Sequence, residues 1–291
     1  MSSYFDKLRI HDIRLKVLNL ETAAKFYRDV VGLREIHAEN HFIRLSANGK
    51  EPALLVLEGD PGALPRPGTA PGLFHTALLF PDRSELARTV RHVGEVGWIF
   101  QGFADHGVSE AVYLSDAEGN GLELYHDRPR DEWPMGSSNS SNEVAMVTEP
   151  LDVDGLMSEL TKGTPSYDGI HPDVLVGHIH LQVSNLDKAG AFYHHLLGLD
   201  ITQRNYPGAL FLSADGYHHH VGLNTWNSRG SQPAAKKASG LMSFEITTVP
   251  ARLEHIAQRA GDESTGHVRL EKQKNRLIDP DGISLDLSVL Q

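Results

Sequence analysis

At 291 residues, 40% of them hydrophobic, the chain has room for two ordinary domains with buried cores. Its net charge of -11 argues against a nucleic-acid or anionic-membrane surface, and no apolar run approaches the length of a membrane span. Cysteine is absent, which excludes disulfides, thiolate metal sites and a cysteine nucleophile; with 17 histidines present, any metal must be held by imidazole and carboxylate.

Along the chain, the start MSSYFDKLRI lacks the apolar core of a signal peptide, so a cytoplasmic protein is expected. The alternation Ile13-Arg14-Leu15-Lys16-Val17 predicts a strand, and Leu20 to Leu33 predicts an amphipathic helix stopped by Gly32, where a left-handed cap is cheapest. A second unit opens at Gly72-Leu73-Phe74-His75 and closes at Asp116-x2-Gly119-x3-Glu123-Leu124. The run Gly136 to Glu143 has loop composition, and Leu151 to Lys162 is expected to form a short connecting helix. The first strand and helix then return at Ile179 to Val183 and Leu186 to Leu199, offset by 166 residues. The second unit returns from Gly240 and ends at Asp279-Pro280-Asp281-Gly282-x3-Asp286, offset there by 163. Four βαβββ modules follow, at 8–60, 72–130, 175–227 and 240–291. They divide into an N-terminal domain at 1–135, a linker at 136–173 and a C-terminal domain at 174–291.

The stretch from His106 to Glu123 sets an imidazole, the Tyr113 phenol and a carboxylate at fixed spacing. It resembles the signature of extradiol ring-cleaving dioxygenases, departing from it at Ala104 and Ala117, neither of which changes a side chain that would touch metal or substrate. The four-module layout resembles the vicinal oxygen chelate superfamily, whose members close two modules into a cup with a metal on its floor. The resemblance implies an α+β fold of two cup-shaped mixed sheets. It also implies ligand positions on the first and last strands of each module: Asp12 and Ala53, His75 and Glu123, His178 and His220, Ser243 and Asp286.

Two histidines and one carboxylate form a facial triad suited to Fe(II), with Mn(II) as an alternative. Only a cup built from modules two and three collects such a set, His75, His178 and Glu123, with His220 beside it; modules one and four would then form a structural cup retaining Asp12 and Asp286. Strand alternation places His178, His180 and Gln182 on one face, and His218 with His220 but not His219. By resemblance, His220 rather than His219 would serve as acid and base, Tyr113 and His106 would hydrogen-bond the substrate, and Phe211 and Trp226 are candidates to wall an aromatic pocket. Taken singly, each residue has a plainer reading: a surface histidine, an edge-strand glutamate, a core tyrosine. The implied activity is O2-dependent extradiol cleavage of small aromatic diols in aromatic catabolism, without nucleic acid or membrane; a homo-oligomer is compatible with the sequence. The alternatives are a glyoxalase-like metal isomerase or thiol transferase, in which His220 binds the metal, and a non-catalytic aromatic-binding resistance protein.

Overall fold

The computed structural model describes residues 7–136, 143–261 and 275–290. Module one runs β1 (Leu8–Val17), α1 (Leu20–Lys25), β2 (Arg34–Glu39), β3 (Phe42–Ser46) and β4 (Leu55–Gly59). Module two runs β5 (Gly72–Leu79), α2 (Arg83–Glu95), β6 (Gly102–Asp105), β7 (Ser109–Ser115) and β8 (Gly121–Asp127). After β9 (Glu149–Pro150) and α3 (Val153–Met157) come β10 (Leu175–Gln182), α4 (Leu186–Gly190), β11 (Asp200–Gln203), β12 (Ala209–Ser213) and β13 (Val221–Asn224). The last module holds β14 (Gly240–Thr248), α5 (Pro250–Ala260), β15 (Arg276–Ile278) and β16 (Ser284–Val289); its 262–274 segment, and 137–142 of the expected polar loop, lie outside the described residues.

Two curled mixed sheets result. One has the order β11-β12-β13-β10-β5-β8-β7-β6-β9, the other β15-β16-β14-β1-β4-β3-β2. Antiparallel pairing of β5 with β10 joins modules two and three, and pairing of β1 with β14 joins modules one and four. The halves 1–135 and 174–291 therefore do not each close a cup, because the joining ladders run across the linker and each sheet takes one module from each half. The linker itself is structured: β9 extends the larger sheet beside β6, and α3 packs on α2. That helix is shorter than Leu151 to Lys162: it starts after the Asp152 cap and ends at Met157, ahead of Ser158 and Thr161, which are weaker helix formers. No helix among the described residues is long and apolar enough to cross a membrane.

The repeated sequence elements do repeated work. Asn19 accepts the Thr22 N–H at the start of α1, and Asn185 accepts the Lys188 N–H at the start of α4. Both helices widen into π-type turns and end at glycines with φ of 87° (Gly32) and 71° (Gly198), the expected left-handed caps. Asp116 accepts the Tyr27 hydroxyl (3.2 Å) and the Glu118 and Asn120 N–H groups (2.9 Å each). Its counterpart Asp279 accepts the Tyr193 hydroxyl (3.2 Å) and the N–H groups of Asp281 (2.9 Å) and Ile283 (2.8 Å). The signature aspartate thus folds a turn and ties one sheet to the other. Between the sheets, β1 packs on β10 through Ile13, Leu15 and Val17 on one side and Ile179, Leu181 and Val183 on the other, all fully buried.

Candidate metal centre

Strand register assembles the site. Tyr113 on β7 pairs with Glu123 on β8, Glu123 with Ala77 on β5, and Ala77 with His178 on β10. These four residues form one row across four strands. Neighbouring strands lie roughly 5 Å apart, so Glu123 and His178 flank a gap that the small Ala77 side chain leaves open. His75 stands two residues from Ala77 on the same face of β5. The donor atoms of His75, Glu123 and His178 lie within 4.8 Å of one another. His75 Nε2 is 2.9 Å and His178 Nε2 3.1 Å from the same Glu123 oxygen, and all three side chains are buried.

The cluster suits a cation. His75 Nε2 is buried without an aligned hydrogen bond, and both imidazoles converge on one carboxylate oxygen. Burial would raise the Glu123 carboxyl, but His178 and His75 beside it hold it well below the usual range. Burial pushes His178 down to about 4, and pushes His180 and His219 well below the ordinary histidine value. Near neutral pH Glu123 is therefore a carboxylate and His178 a neutral imidazole, the ligand forms that bind metals.

His106 and Tyr113 meet as the signature spacing anticipates. His106 Nε2 lies 2.7 Å from the Tyr113 hydroxyl, and its Nδ1 lies 2.7 Å from the Val147 carbonyl. A carbonyl only accepts, so Nδ1 carries the proton there and Nε2 accepts from the phenol. Burial, with Glu123 nearby, keeps the Tyr113 phenol protonated by raising its pKa well above 10.

His220 is a correction. Ile179 N–H still bonds the His220 carbonyl (3.1 Å), as a strand alignment requires, but residues 217–220 are irregular and β13 begins only at Val221. Period-two alternation therefore does not carry back from β13. The His220 ring turns away from the cavity, taking the Ser213 hydroxyl (2.9 Å) and Ala214 N–H (3.2 Å) at Nδ1. His219 occupies the place instead, its ring centroid 4.1 Å from that of His178. Asp127 Oδ1 lies 2.9 Å from His218 Nε2, and His218 Nδ1 lies 2.8 Å from His219 Nδ1. With Asp127 as acceptor, His218 carries its proton on Nε2, its Nδ1 accepts from His219, and His219 Nε2 is left unprotonated.

The cluster borders a cavity of about 250 Å³ whose lining includes His75, Tyr113, Glu123, His106, His180 and His219 together with Phe74, Met146, Val147, Tyr206, Phe211 and Trp226. Phe211 and Trp226 thus stand where an aromatic wall was expected. His180 and Ala77 carried no signal beyond sharing strands with His178 and His75. In the other sheet, Asp286 pairs with Arg276 (2.6 Å), and no further cluster of metal-type donors occurs among the described residues.

The model of the Glyoxalase/Bleomycin resistance protein/Dioxygenase superfamily matches residues 9–124 and 175–286. The chain belongs to this superfamily. Within it, the chain is 42% identical over 249 residues, 84% of its own length and 85% of the relative's, to the catechol-2,3-dioxygenase of Bacillus subtilis (strain 168). Two solved structures show the superfamily fold at low identity. A dioxygenase candidate from Bacillus subtilis subsp. subtilis str. 168 aligns with a TM-score of 0.64 at 15% identity, over 97% of this chain and 85% of that one. Glyoxalase I from Zea mays aligns with a TM-score of 0.56 at 15% identity, over 96% and 92%.

Proposed function

We propose that the protein is an extradiol ring-cleaving dioxygenase acting on catechol-type diols with O2 at an Fe(II) held by His75, His178 and Glu123. The observation that carries this reading is the buried two-histidine, one-carboxylate cluster opening onto an aromatic-walled cavity. The 42% identity to a protein named catechol-2,3-dioxygenase supports the catechol substrate. Fe(II) bound by these donors would supply open positions for the diol oxygens and O2, and the redox chemistry that activates O2.

The chain's own groups handle protons and position. His219 Nε2 takes a proton from the diol and later returns one, general acid–base work for which a neutral imidazole is suited. The Tyr113 hydroxyl, whose proton is donated to His106 Nε2, presents its oxygen lone pair to accept a hydrogen bond from a diol hydroxyl and so orient it. His180 stands beside His75, ring centroids 4.9 Å apart, and closes the cavity wall on that side. Phe74, Phe211 and Trp226 exclude water and hold the ring. The product is a ring-opened muconic semialdehyde, with both atoms of O2 incorporated.

The glyoxalase-like alternative needs a fourth protein ligand from His220, which is not among the three clustered donors. The test is oxygen uptake on adding catechol to protein loaded anaerobically with Fe(II). One O2 consumed per catechol, with a yellow product, is expected; full iron occupancy without uptake on any simple catechol rejects the reading.

A further inference from the structure

A second hollow, of about 420 Å³, adjoins the metal cavity and shares its Phe74, His75 and Tyr113 walls. The two differ in charge. No lysine or arginine lines the metal cavity, whereas the hollow is lined by Arg66 and by no aspartate or glutamate.

Arg66 is fixed in place. Its loop is tied down where the Leu64 N–H donates to the Lys237 carbonyl and the Ser239 N–H to the Leu64 carbonyl (2.8 Å each). Arg66 Nη1 donates to the Ala70 carbonyl and Nη2 to the Leu73 carbonyl (2.8 Å each). The stem lies against Gly72 and Gly240, where a Cβ would stand 3.2 and 3.3 Å from Arg66 Cδ. Among the described residues no carboxylate pairs with Arg66, and burial lowers its guanidinium from the usual value without an acid to offset it. Carbonyls offer dipoles and no net charge, so the cation is not neutralised within the protein. Ser115 also lines the hollow; its Oγ accepts from Gln101 Nε2 (2.8 Å), which leaves the hydroxyl proton free to donate. The Leu73 carbonyl stands two residues from His75 on β5, roughly 7 Å along the strand.

Ring cleavage creates an anion that fits. In the reaction proposed above, one ring C–C bond breaks and each of its two carbons gains an oxygen atom from O2. The hydroxyl-bearing carbon becomes a carboxylic acid and its neighbour an aldehyde. The diol enters uncharged, whereas the new acid ionises near neutral pH. In the metal cavity that carboxylate would meet Glu123 and apolar rings, with no side-chain cation to replace its hydration. We propose that the Arg66 hollow receives the carboxylate of the ring-opened product, gripped by the remaining guanidinium donors and by the Ser115 hydroxyl. This rests on the dioxygenase reading and gives the product a binding place distinct from that of the diol.

The experiment measures product inhibition of oxygen uptake by the Fe(II)-loaded chain, on catechol and on 3,4-dihydroxyphenylacetate. Calorimetric titration of the Zn(II)-loaded chain accompanies it, with cis,cis-muconate, an open-chain diacid with the carbon skeleton of the product, and with inorganic phosphate. We expect Arg66→Gln to weaken both the product's inhibition and muconate binding by about tenfold or more, and Arg66→Lys to retain most of both. Ser115→Glu, which puts an acid into the hollow while leaving Arg66 and its loop intact, should weaken both as well. Catechol turnover with inhibition and muconate affinity unchanged in Arg66→Gln and Ser115→Glu would overturn the inference and leave the dioxygenase reading intact. Phosphate bound as tightly as muconate, and lost with it in Arg66→Gln, would overturn it in favour of a general anion site. Faster turnover of 3,4-dihydroxyphenylacetate than of catechol, abolished by Arg66→Gln, would overturn it by giving the hollow to the substrate. Muconate binding that both Arg66→Gln and Ser115→Glu abolish, without O2 uptake on any diol, would uphold the carboxylate site and reject the dioxygenase reading.

Discussion

His219 and His220 are neighbours in sequence, yet the structure assigns them opposite consequences. His219→Phe should keep the fold and the metal, because its ring lies against His178 without being one of the three clustered donors. It should lose the proton transfer, on the order of 10²–10⁴-fold in kcat, equivalent to roughly 3–5 kcal/mol of barrier. His220→Phe should do the reverse. His220 is fully buried and accepts the Ser213 hydroxyl and Ala214 N–H, so phenylalanine leaves the Ala214 N–H unpaired at about 1–3 kcal/mol, while the Ser213 hydroxyl keeps the Ala214 carbonyl (3.3 Å). For a chain of this size that lowers the melting temperature by roughly 2–4 °C per kcal/mol, with turnover per bound iron little changed. The assay pairs oxygen uptake, normalised to iron content, with thermal melts of both variants. A folded, iron-replete His220→Phe that is inactive, beside an active His219→Phe, would refute the placement of the acid–base group.

Three further outcomes are expected. Glu123→Gln removes the only carboxylate of the cluster and should weaken iron binding by at least the 10–100-fold typical of losing a group behind a ligand, read by dialysis against a chelator. Zn(II) should occupy the same donors and displace Fe(II) but support no oxygen uptake, since it has no redox chemistry; equal activity with zinc would point to isomerase or transferase chemistry. Asp279 is raised by burial from 3.8 to about 7. Its folded value lies above its unfolded one, so its stabilising contribution is fully present below the unfolded value and is lost as pH rises through about 7. That is about 2–3 kcal/mol between about pH 5 and pH 8 by linkage, measurable in urea melts and reduced in Asp279→Asn; an unchanged pH dependence in the variant would exclude this source.

Much of the fold was legible because its signals are local. The paired helices announced themselves through Leu20 to Leu33 and Leu186 to Leu199, and the Gly32 and Gly198 caps follow from chain geometry alone. Tyr113 and Glu123 were readable as partners because a hairpin register is nearly fixed by the short turn that joins its strands. Two predictions from local patterns failed. The helix expected over Leu151 to Lys162 shortened to Val153–Met157, and His220 faced away, because alternation holds only inside a paired strand and residues 217–220 are not in one.

By itself the sequence determined the donor types, the module repeat and the spacing of His106, Tyr113 and Glu123 along one hairpin. The absence of cysteine had already confined any metal site to imidazole and carboxylate. Which modules share a sheet was decided by tertiary pairing, because the β5–β10 ladder joins strands separated by most of module two and the whole linker. That ladder brings His178 into line with Ala77 and Glu123, leaving the small gap between them in which donors converge. The choice of His219 over His220 also belongs to the tertiary structure: it follows from side-chain directions in an irregular turn, held by Asp127 and His218 on one side and Ser213 on the other, none of which a period of two encodes.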